Sequence, residues 1–161
     1  MSTKTFYCII IILVLISCND NTNKLATDRL IVDAGSFLDS TEANEIEGRL
    51  RSIEDKGKYN LFLYTVIAEK YYKHANYDEY IFSSLSNKDT NVNTNILLYL
   101  SYNDKKIRIN TGNKARETLT DSLCQVAVNR LIPYLNQRKY YDGIKATINY
   151  IDSVMNCTNI K

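Results

Sequence analysis

Hydrophobic positions along the chain change their spacing at several points, and each change predicts a new secondary-structure element. Residues 29–34 form a short β-branched run that stops at Gly35, which predicts a strand followed by a turn. Apolar residues then recur every three or four positions between Asp39, a good N-cap, and Gly57, which predicts an amphipathic helix. Residues 59–67 are almost wholly apolar, as expected of a strand covered on both faces. Helices are therefore expected on both sides of a sheet.

A second helix and a hairpin follow. Asn76 lies three residues before Glu79 and predicts the start of a helix with one apolar face. Two further strands, at 96–102 and 105–110, flank the pair Asn103-Asp104. Because Asn and Asp tolerate the positive φ angles of a tight turn, these strands are expected to pair antiparallel about that pair.

The C-terminal part of the chain predicts a polar loop and two helices. Residues 112–119 are expected to form the loop, and Thr120 caps a helix that continues until Pro133 forces a break or a kink. The last helix has one apolar stripe from Tyr140 to Met155. The resulting order, β-α-β-α-β-β-α-α, predicts an α/β fold, a three-layer α/β/α sandwich with a mixed central sheet of about four strands.

The first eighteen residues carry the pattern of an exported lipoprotein. An apolar run from Phe6 to Ile16 follows Lys4; it is too short to span a bilayer, which takes ~20 residues, but it suits a secretory signal. The ending, Leu-Ile-Ser before Cys18, resembles a bacterial lipobox, after which the cysteine becomes the acylated first residue. The alternative is an uncleaved anchor in which the cysteine stands by chance.

This pattern predicts the organisation and location of the mature protein. Residues 1–17 would be a removed signal peptide, 18–27 a lipidated and flexible tether, 28–156 the folded domain and 157–161 a tail. The acyl chains of Cys18 would make the lipid bilayer a partner and hold the domain facing the periplasm or the cell exterior. The residue after the cysteine is not Asp, which favours the outer membrane of a Gram-negative bacterium.

Charge and cysteine content exclude one large class of partner and several kinds of site. The 161 residues include 20 Lys and Arg against 18 Asp and Glu, a net charge of +2, and no basic stripe follows the chain, so no nucleic-acid role is expected. Past Cys18 only Cys124 and Cys157 remain, and with His74 as the single histidine they make no zinc or Cys-His catalytic pattern. The two cysteines either form a disulfide or, as we favour, are a buried structural thiol and a tail thiol.

From about residue 28 to residue 156 the chain resembles the TPM domain family, formerly grouped as a domain of unknown function. The resemblance is carried by five segments in order: VDAGSFLDS, NILLYLSYNDKKIRINTG, LTD, LIPYL and YYDGI. It implies an exported, membrane-tethered α/β domain. Members of this family have been linked to divalent-cation binding and to acid phosphatase activity, and others to roles as assembly or accessory factors.

The resemblance also implies a site at the strand ends, where oxygen ligands would gather around a hard cation such as Ca²⁺ or Mg²⁺. Asp33 and Asp121 match acidic positions of the family, and Asn93 lies in the approach to the third strand, where the family has an Asp-Asn-Gly-like segment. The family's Gly-Tyr-Gly-x-Glu loop reads Gly-Asn-Lys-Ala-Arg at 112–116, so an acid has become a cation. Because Ca²⁺ affinity depends on the number of charged ligands, these exchanges predict a weakened metal site.

Two cations are candidates for binding a phosphate. Arg108 projects from a strand among apolar residues, and Arg116 lies near a helix N-terminus. Structural explanations stand beside the functional ones, because Asp33 can cap a turn, Asp121 can complement a helix dipole and Arg108 can pair with a carboxylate.

Two functions from different classes follow. We favour a membrane-tethered envelope lipoprotein whose TPM-like domain binds or positions an envelope protein without catalysis, and we assign no catalytic residue. The alternative is a divalent-cation-dependent acid phosphatase that uses Asp33, Asn93 and Asp121 as metal ligands.

Overall fold

The computed structural model describes residues 29–85 and 92–157, so the predicted signal peptide, Cys18 and the tether lie outside the described residues. Within them, four strands and five α-helices follow in this order: β1 Ile31–Asp33, α1 Ser40–Glu54, β2 Asn60–Val66, α2 Tyr77–Leu85, β3 Asn95–Ser101, β4 Lys106–Thr111, α3 Asn113–Thr118, α4 Asp121–Asn136 and α5 Tyr140–Cys157. Two 3₁₀ turns, Glu69–Tyr71 and Val92–Thr94, precede α2 and β3. None of the described helices is long and apolar enough to cross a bilayer.

The four strands form one mixed sheet in the order β1-β2-β3-β4. Strand β2 is parallel to both β1 and β3, and β4 is antiparallel to β3. We call the edge where the three parallel strands end the carboxyl edge; Asp33 lies there beside Thr65. The opposite, amino edge holds Asn60 and Asn95, which are paired, and the end of β4 at Thr111. The predicted α/β class and mixed four-stranded sheet are confirmed.

Helices cover both faces of the sheet, which confirms the three-layer sandwich. On one face, Leu61, Leu63 and their neighbours on β3 pack against α1, α4 and α5 in the larger core. On the other face, Leu97 and Tyr99 pack against α2 in a smaller core. All seven residues of β3 are buried, because this central strand is covered on both sides.

The two helices that connect parallel strands, α1 and α2, lie on opposite faces of the sheet. Both connections nevertheless lead to the next strand in the same direction across the sheet. Helix α1 joins β1 to β2 and packs in the larger core, whereas α2 joins β2 to β3 and packs in the smaller one. The two crossovers therefore have opposite hands. Since parallel crossovers are right-handed in about 98% of cases, one of these two departs from the rule.

Helix α1 begins where the sequence predicts. The Asp39 carboxylate accepts hydrogen bonds from the N–H groups of Thr41 and Glu42, both at 2.8 Å, and the Glu42 carboxylate accepts from the Asp39 N–H at 2.9 Å. This reciprocal pair is a capping box. Gly57, at φ 67°, lies three residues past the last helical residue and makes the turn toward β2.

The prediction of a loop at 112–119 is wrong. Asn113–Thr118 is the short helix α3, which begins after Gly112. Two apolar side chains drive its formation, because Ala115 and Leu119 are buried in the larger core. Only a few apolar positions occur in so short a segment, so its helical period is not readable from the sequence.

The hairpin between β3 and β4 forms as predicted, but its turn has a different geometry. The loop spans four residues, 102–105, and the positive φ angle, 48°, falls on Lys105 instead of the Asn103-Asp104 pair. Asp104 has another task, since its carboxylate accepts hydrogen bonds from the Ser101 hydroxyl and from the Glu69 N–H at 2.7 Å.

Pro133 does not end α4, so of the predicted break or kink the break does not occur. The helix continues to Asn136, with Pro133 exposed on its outer side. Buried residues Ala127 and Leu131 hold the helix against the core on the inner side. Tertiary packing therefore outweighs the missing backbone donor of proline.

Cys124 and Cys157 are both free thiols, which confirms the favoured interpretation that they do not form a disulfide, although Cys157 belongs to α5 and not to a tail. Cys124 is half-buried in α4, and Cys157 is exposed at the last residue of α5. Burial raises the pKa of the Cys124 thiol to about 11, so it carries little thiolate at neutral pH.

The contact between α4 and α5 depends on Gly143 and supplies a first prediction. A Cβ at this position would lie 2.6 Å from the Tyr134 Cβ and 2.9 Å from the Leu131 Cδ1. We expect Gly143→Ala to lower the free energy of unfolding by about 1–3 kcal/mol through overpacking. Urea denaturation followed by circular dichroism measures it.

Gly48 in α1 is the matched control. Nothing lies within 4 Å of a Cβ added there. Gly48→Ala should therefore raise stability by about 0.5–1 kcal/mol, because alanine is the better helix former. Equal effects of the two substitutions would contradict the close packing at Gly143.

Candidate functional site

Asp33 lies at the carboxyl edge, where its carboxylate organises the loop that follows β1. One oxygen accepts hydrogen bonds from the Thr65 hydroxyl and from the Phe37 N–H at 3.1 Å, and the other accepts from the Leu38 N–H at 2.9 Å. The Thr65 hydroxyl in turn accepts from the Gly35 N–H at 3.1 Å. Both carboxylate oxygens are thus engaged with the protein itself, as in a turn cap.

Asn93 and Asp121 lie at the amino edge, away from Asp33. Asn93 is exposed in the 3₁₀ turn before β3, and the Asp121 side chain, at the start of α4, is 90% exposed. The five residue steps along β2 from Asn60 to Thr65 correspond to about 17 Å. The structure therefore does not bring the three predicted metal ligands together, and a ligand role for each of them separately stays a prediction.

The two predicted phosphate ligands are also apart. Arg116, exposed on α3 at the amino edge, donates a hydrogen bond to the Thr111 hydroxyl at 3.3 Å and lies 3.9 Å from the Asp121 carboxylate. Arg108 is exposed in the middle of β4, opposite Tyr99, on the face that α2 covers. Within the described parts of the chain, no three His, Cys, Asp or Glu side chains are grouped to hold a metal ion.

A charged cluster joins α2 to the sheet on that same face. Lys106 Nζ donates to the Asp78 carboxylate at 2.6 Å and to the Glu69 carboxylate at 2.9 Å, and Asn110 donates to Asp78 at 3.4 Å. Burial lowers the pKa of Lys106, but the hydrogen bonds to Asp78 and Glu69 outweigh it and the pKa is raised. The ammonium group is therefore charged and occupies the position between the two carboxylates.

Tyr99 lies beside this cluster. Its side chain is fully buried, and its hydroxyl has no hydrogen-bond partner among the described residues. Burial raises the pKa of the phenol, and the carboxylates of Glu69 and Asp78 raise it further, so the hydroxyl is protonated at all physiological pH values.

A cavity of about 520 Å³ opens at the carboxyl edge on the opposite face, between the β3–β4 hairpin and the turn from α4 to α5. We call it the aromatic pocket. Three rings of its lining meet edge to face: Phe37 lies 4.9 Å from Tyr140 and 5.9 Å from Tyr102, measured between ring centroids. Aliphatic and amide side chains complete the wall: Leu100, Ile107, Ile132, Leu135, Asn103 and Asn136.

The charged residues that line the aromatic pocket are all cations. Lys105, Lys106 and Arg138 line it, and its lining contains no Asp or Glu. The Lys106 ammonium is already held by Glu69 and Asp78, which leaves Lys105 and Arg138 to act on the pocket. Burial and the neighbouring Tyr102 hydroxyl raise the pKa of Tyr140, so this phenol stays protonated and able to donate a hydrogen bond.

Two parts of this site were not found in the sequence. Asp78 carries no distinguishing signal in the sequence, because its burial results from the packing of α2 on the sheet. The aromatic pocket draws on three separate segments, Phe37, residues 100–107 and residues 132–140, and its single local signal is a tyrosine, Tyr102, beside a turn. Such convergence of distant segments leaves no spacing pattern.

Comparison with known proteins places the chain among one family of domains. A sequence model of the TPM domain matches residues 31–154. No curated protein matches the chain. The predicted resemblance to the TPM domain family is therefore confirmed over residues 31–154.

Three structures determined by NMR share the fold. The N-terminal domain of a P. gingivalis protein has a TM-score of 0.71 and 20% identity over 82% of this chain and 85% of that one. The BA42 protein of the psychrophilic bacterium Bizionia argentinensis has a TM-score of 0.61 and 16% identity, covering 74% and 81%. The N-terminal domain of the cg2496 protein of Corynebacterium glutamicum has 0.59 and 12%, covering 80% of each chain. At these identities the similarity establishes the fold alone.

Proposed function

The chain belongs to the TPM domain family, and we propose that it is a binding domain without catalytic activity, tethered to an envelope membrane through acylated Cys18. The observation that carries the proposal is the division of the candidate ligands. Asp33 at the carboxyl edge is occupied by three hydrogen-bond donors, whereas Asn93 and Asp121 lie at the amino edge. A divalent-cation phosphatase needs its ligands around one ion.

A site with room for a ligand is the aromatic pocket, which offers rings and cations. Such a lining suits recognition, because aromatic and aliphatic walls with a few placed polar groups are typical of binding sites. An envelope protein is the partner we propose for the domain.

The tether supports a role close to a membrane surface. The described domain begins at Arg29, eleven residues after Cys18, so a fully extended tether reaches at most about 40 Å. The domain would therefore meet partners that lie at or near the same membrane. We propose the outer membrane of a Gram-negative bacterium, on the sequence around the lipobox.

Tethering is tested by fractionation. We expect the full chain expressed in a Gram-negative host to be recovered with the membranes and to incorporate labelled palmitate. Cys18→Ala should abolish the label and the processing, while Cys8→Ala, within the predicted signal, should leave the label unchanged. Equal labelling of the Cys18→Ala variant would contradict lipidation at this residue.

The absence of metal-dependent catalysis is a separate prediction. We expect 10 mM Ca²⁺, Mg²⁺ or Mn²⁺ to leave the melting temperature unchanged within about 1 °C, because the predicted ligands do not meet around one ion. Binding would be easy to detect, since a cation with a Kd of about 0.1 mM would stabilise the folded state by about 2.7 kcal/mol at this concentration. Hydrolysis of 4-nitrophenyl phosphate with each cation, between pH 4 and pH 8, should not exceed the blank.

One result would overturn the proposal in favour of the phosphatase. This result is a cation-dependent hydrolysis of 4-nitrophenyl phosphate that saturates with substrate. The hydrolysis would also have to be abolished by Asp121→Asn or Asn93→Ala without a change in melting temperature. These two exposed residues are the informative variants, because their side chains support little of the fold.

A further inference from the structure

We propose that the aromatic pocket binds an apolar group that carries a single carboxylate, either a free aromatic acid or the C-terminal residue of a peptide. The inference rests on the proposed binding role and names the chemistry of its ligand. The cavity volume, about 520 Å³, is within the range of about 300–1,000 Å³ that is usual for small-ligand sites.

The walls of the pocket select an apolar body. Phe37, Tyr102 and Tyr140 pack edge to face around one end, with centroid distances between 4.9 and 6.3 Å. A fourth ring placed among them would continue the same edge-to-face arrangement, which is the favoured geometry for aromatic groups. Tyr102 is already 48% exposed, so an entering ring removes apolar surface from water.

The charges select an anion. Neither Lys105 nor Arg138 forms an ion pair with any residue of the described segments, and the lining has no acid to repel a carboxylate. The planar Arg138 guanidinium matches the two oxygens of a carboxylate. Because most of the lining is apolar, a singly charged carboxylate loses less hydration on entering this pocket than a doubly charged phosphate would.

Both cations occupy strained backbone positions. Lys105 has φ 48° and Arg138 has φ 58°, in the left-handed region that Gly and Asn adopt more readily. Two such positions flank one cavity and hold the cations that line it. Left-handed residues other than glycine are commonly found at functional sites.

This geometry permits variants that remove the charge and relax the backbone together. Arg138→Asn and Lys105→Asn should keep or raise the melting temperature, because Asn suits a positive φ. Each should weaken ligand binding at least 10-fold. Loss of binding in these variants therefore cannot be attributed to loss of folding.

The test is isothermal titration calorimetry on the purified full chain in detergent, with detergent alone as the blank. The probes are 3-phenylpropionate, its neutral amide, N-acetyl-Ala-Phe with a free C-terminus and the same dipeptide amidated. We expect saturable binding of at least one acid, and at least 10-fold weaker binding of its matched amide. The control variant is Lys114→Asn, which removes an exposed cation at the amino edge and should leave the affinity unchanged.

The arms separate the two sources of the carboxylate. Binding of 3-phenylpropionate without the dipeptide supports a free acid, and tighter binding of the dipeptide supports a peptide C-terminus. No binding of either acid, equal binding of acid and amide, or full affinity in Arg138→Asn overturns the proposal, as does phenyl phosphate binding 10-fold tighter than 3-phenylpropionate. Labelling of Cys18 and phosphatase turnover do not involve the pocket, so failure here is distinct from failure of the proposed function.

Discussion

Replacing Asp152 with alanine will lower the free energy of unfolding by about 3 kcal/mol, and by thermal melting it will lower the midpoint by about 10 °C. This residue lies in α5, and its side chain is 10% exposed. It accepts hydrogen bonds from the Tyr59 hydroxyl at 2.6 Å and from Arg49 at 2.8 Å, and Lys56 lies 3.5 Å away. One side chain thus joins α5 to α1 and to the residue before β2.

The size of the effect follows from what the substitution leaves behind. The Tyr59 hydroxyl is buried and would lose the acceptor that holds it. An unsatisfied buried polar group costs about 1–3 kcal/mol. Arg49 and Lys56 are 37% and 42% exposed at their side chains, so they regain hydration and add less than a fully buried pair would.

The contribution of Asp152 also depends on pH. Burial raises the pKa of this carboxyl, but the Tyr59 hydrogen bond and the charges of Lys56 and Arg49 outweigh it and hold the pKa below its ordinary value. A carboxyl whose pKa is lower in the folded state stabilises the fold above the unfolded-state pKa, and the stabilisation is lost as pH falls through the folded-state value. We therefore expect the stability gap between the protein and Asp152→Asn to be full at pH 7 and to shrink below about pH 4.

Urea denaturation at pH 7 and at pH 3 measures this gap. Asp142→Asn, at an exposed position in the first turn of the same helix, should change stability by less than about 1 kcal/mol and supplies the control. A gap that is unchanged between the two pH values would show that the charge of Asp152 does not contribute.

Asp33→Ala is expected to lower the free energy of unfolding by about 2–3 kcal/mol whether or not a divalent cation is present. The substitution removes the acceptor for the Phe37 and Leu38 N–H groups and for the Thr65 hydroxyl. Each lost hydrogen bond contributes about 1 kcal/mol. Phe37 is a wall of the aromatic pocket, so binding of 3-phenylpropionate should weaken in the same variant.

The matched control for Asp33 is Asp121→Ala. Both residues are predicted metal ligands, but the Asp121 side chain is 90% exposed and lies 3.9 Å from Arg116. We expect a change below about 0.5 kcal/mol for it. Thermal melts of both variants with and without 10 mM Ca²⁺ separate a structural role from a metal-binding role. Replacing a residue that only binds metal would remove the stabilisation by Ca²⁺ and leave the melting temperature without Ca²⁺ unchanged.

The role of a predicted site residue could be recognised from the sequence where its hydrogen-bond partners are close to it in the chain. The turn-capping interpretation of Asp33 was available, since Asp after a strand commonly bonds the following backbone, and the structure shows those bonds. Arg108 pairing with a carboxylate was equally plausible, yet the lysine two residues earlier, Lys106, makes the ion pairs. Adjacent cations on one strand face cannot be ranked without knowing where α2 places Asp78.

Local pattern determined much of this protein. The helices with long apolar stripes, the capping box at Asp39 and the strand pair of the hairpin all depend on residues close in sequence. The α/β class was also determined by local pattern, because the order of the elements leaves few ways to cover a sheet. Because these residues are close to one another in the chain, their interactions depend little on the rest of the fold.

Only the tertiary structure decided the remainder. It placed α1 and α2 on opposite faces, against the usual hand of one crossover, and it carried α4 through Pro133 because the buried side of that helix is held by the core. It also separated Asp33 from Asn93 and Asp121 and brought Lys105 and Arg138 to one cavity. These outcomes depend on packing between segments far apart in the chain. The free energy of that packing cannot be predicted from the spacing of neighbouring residues.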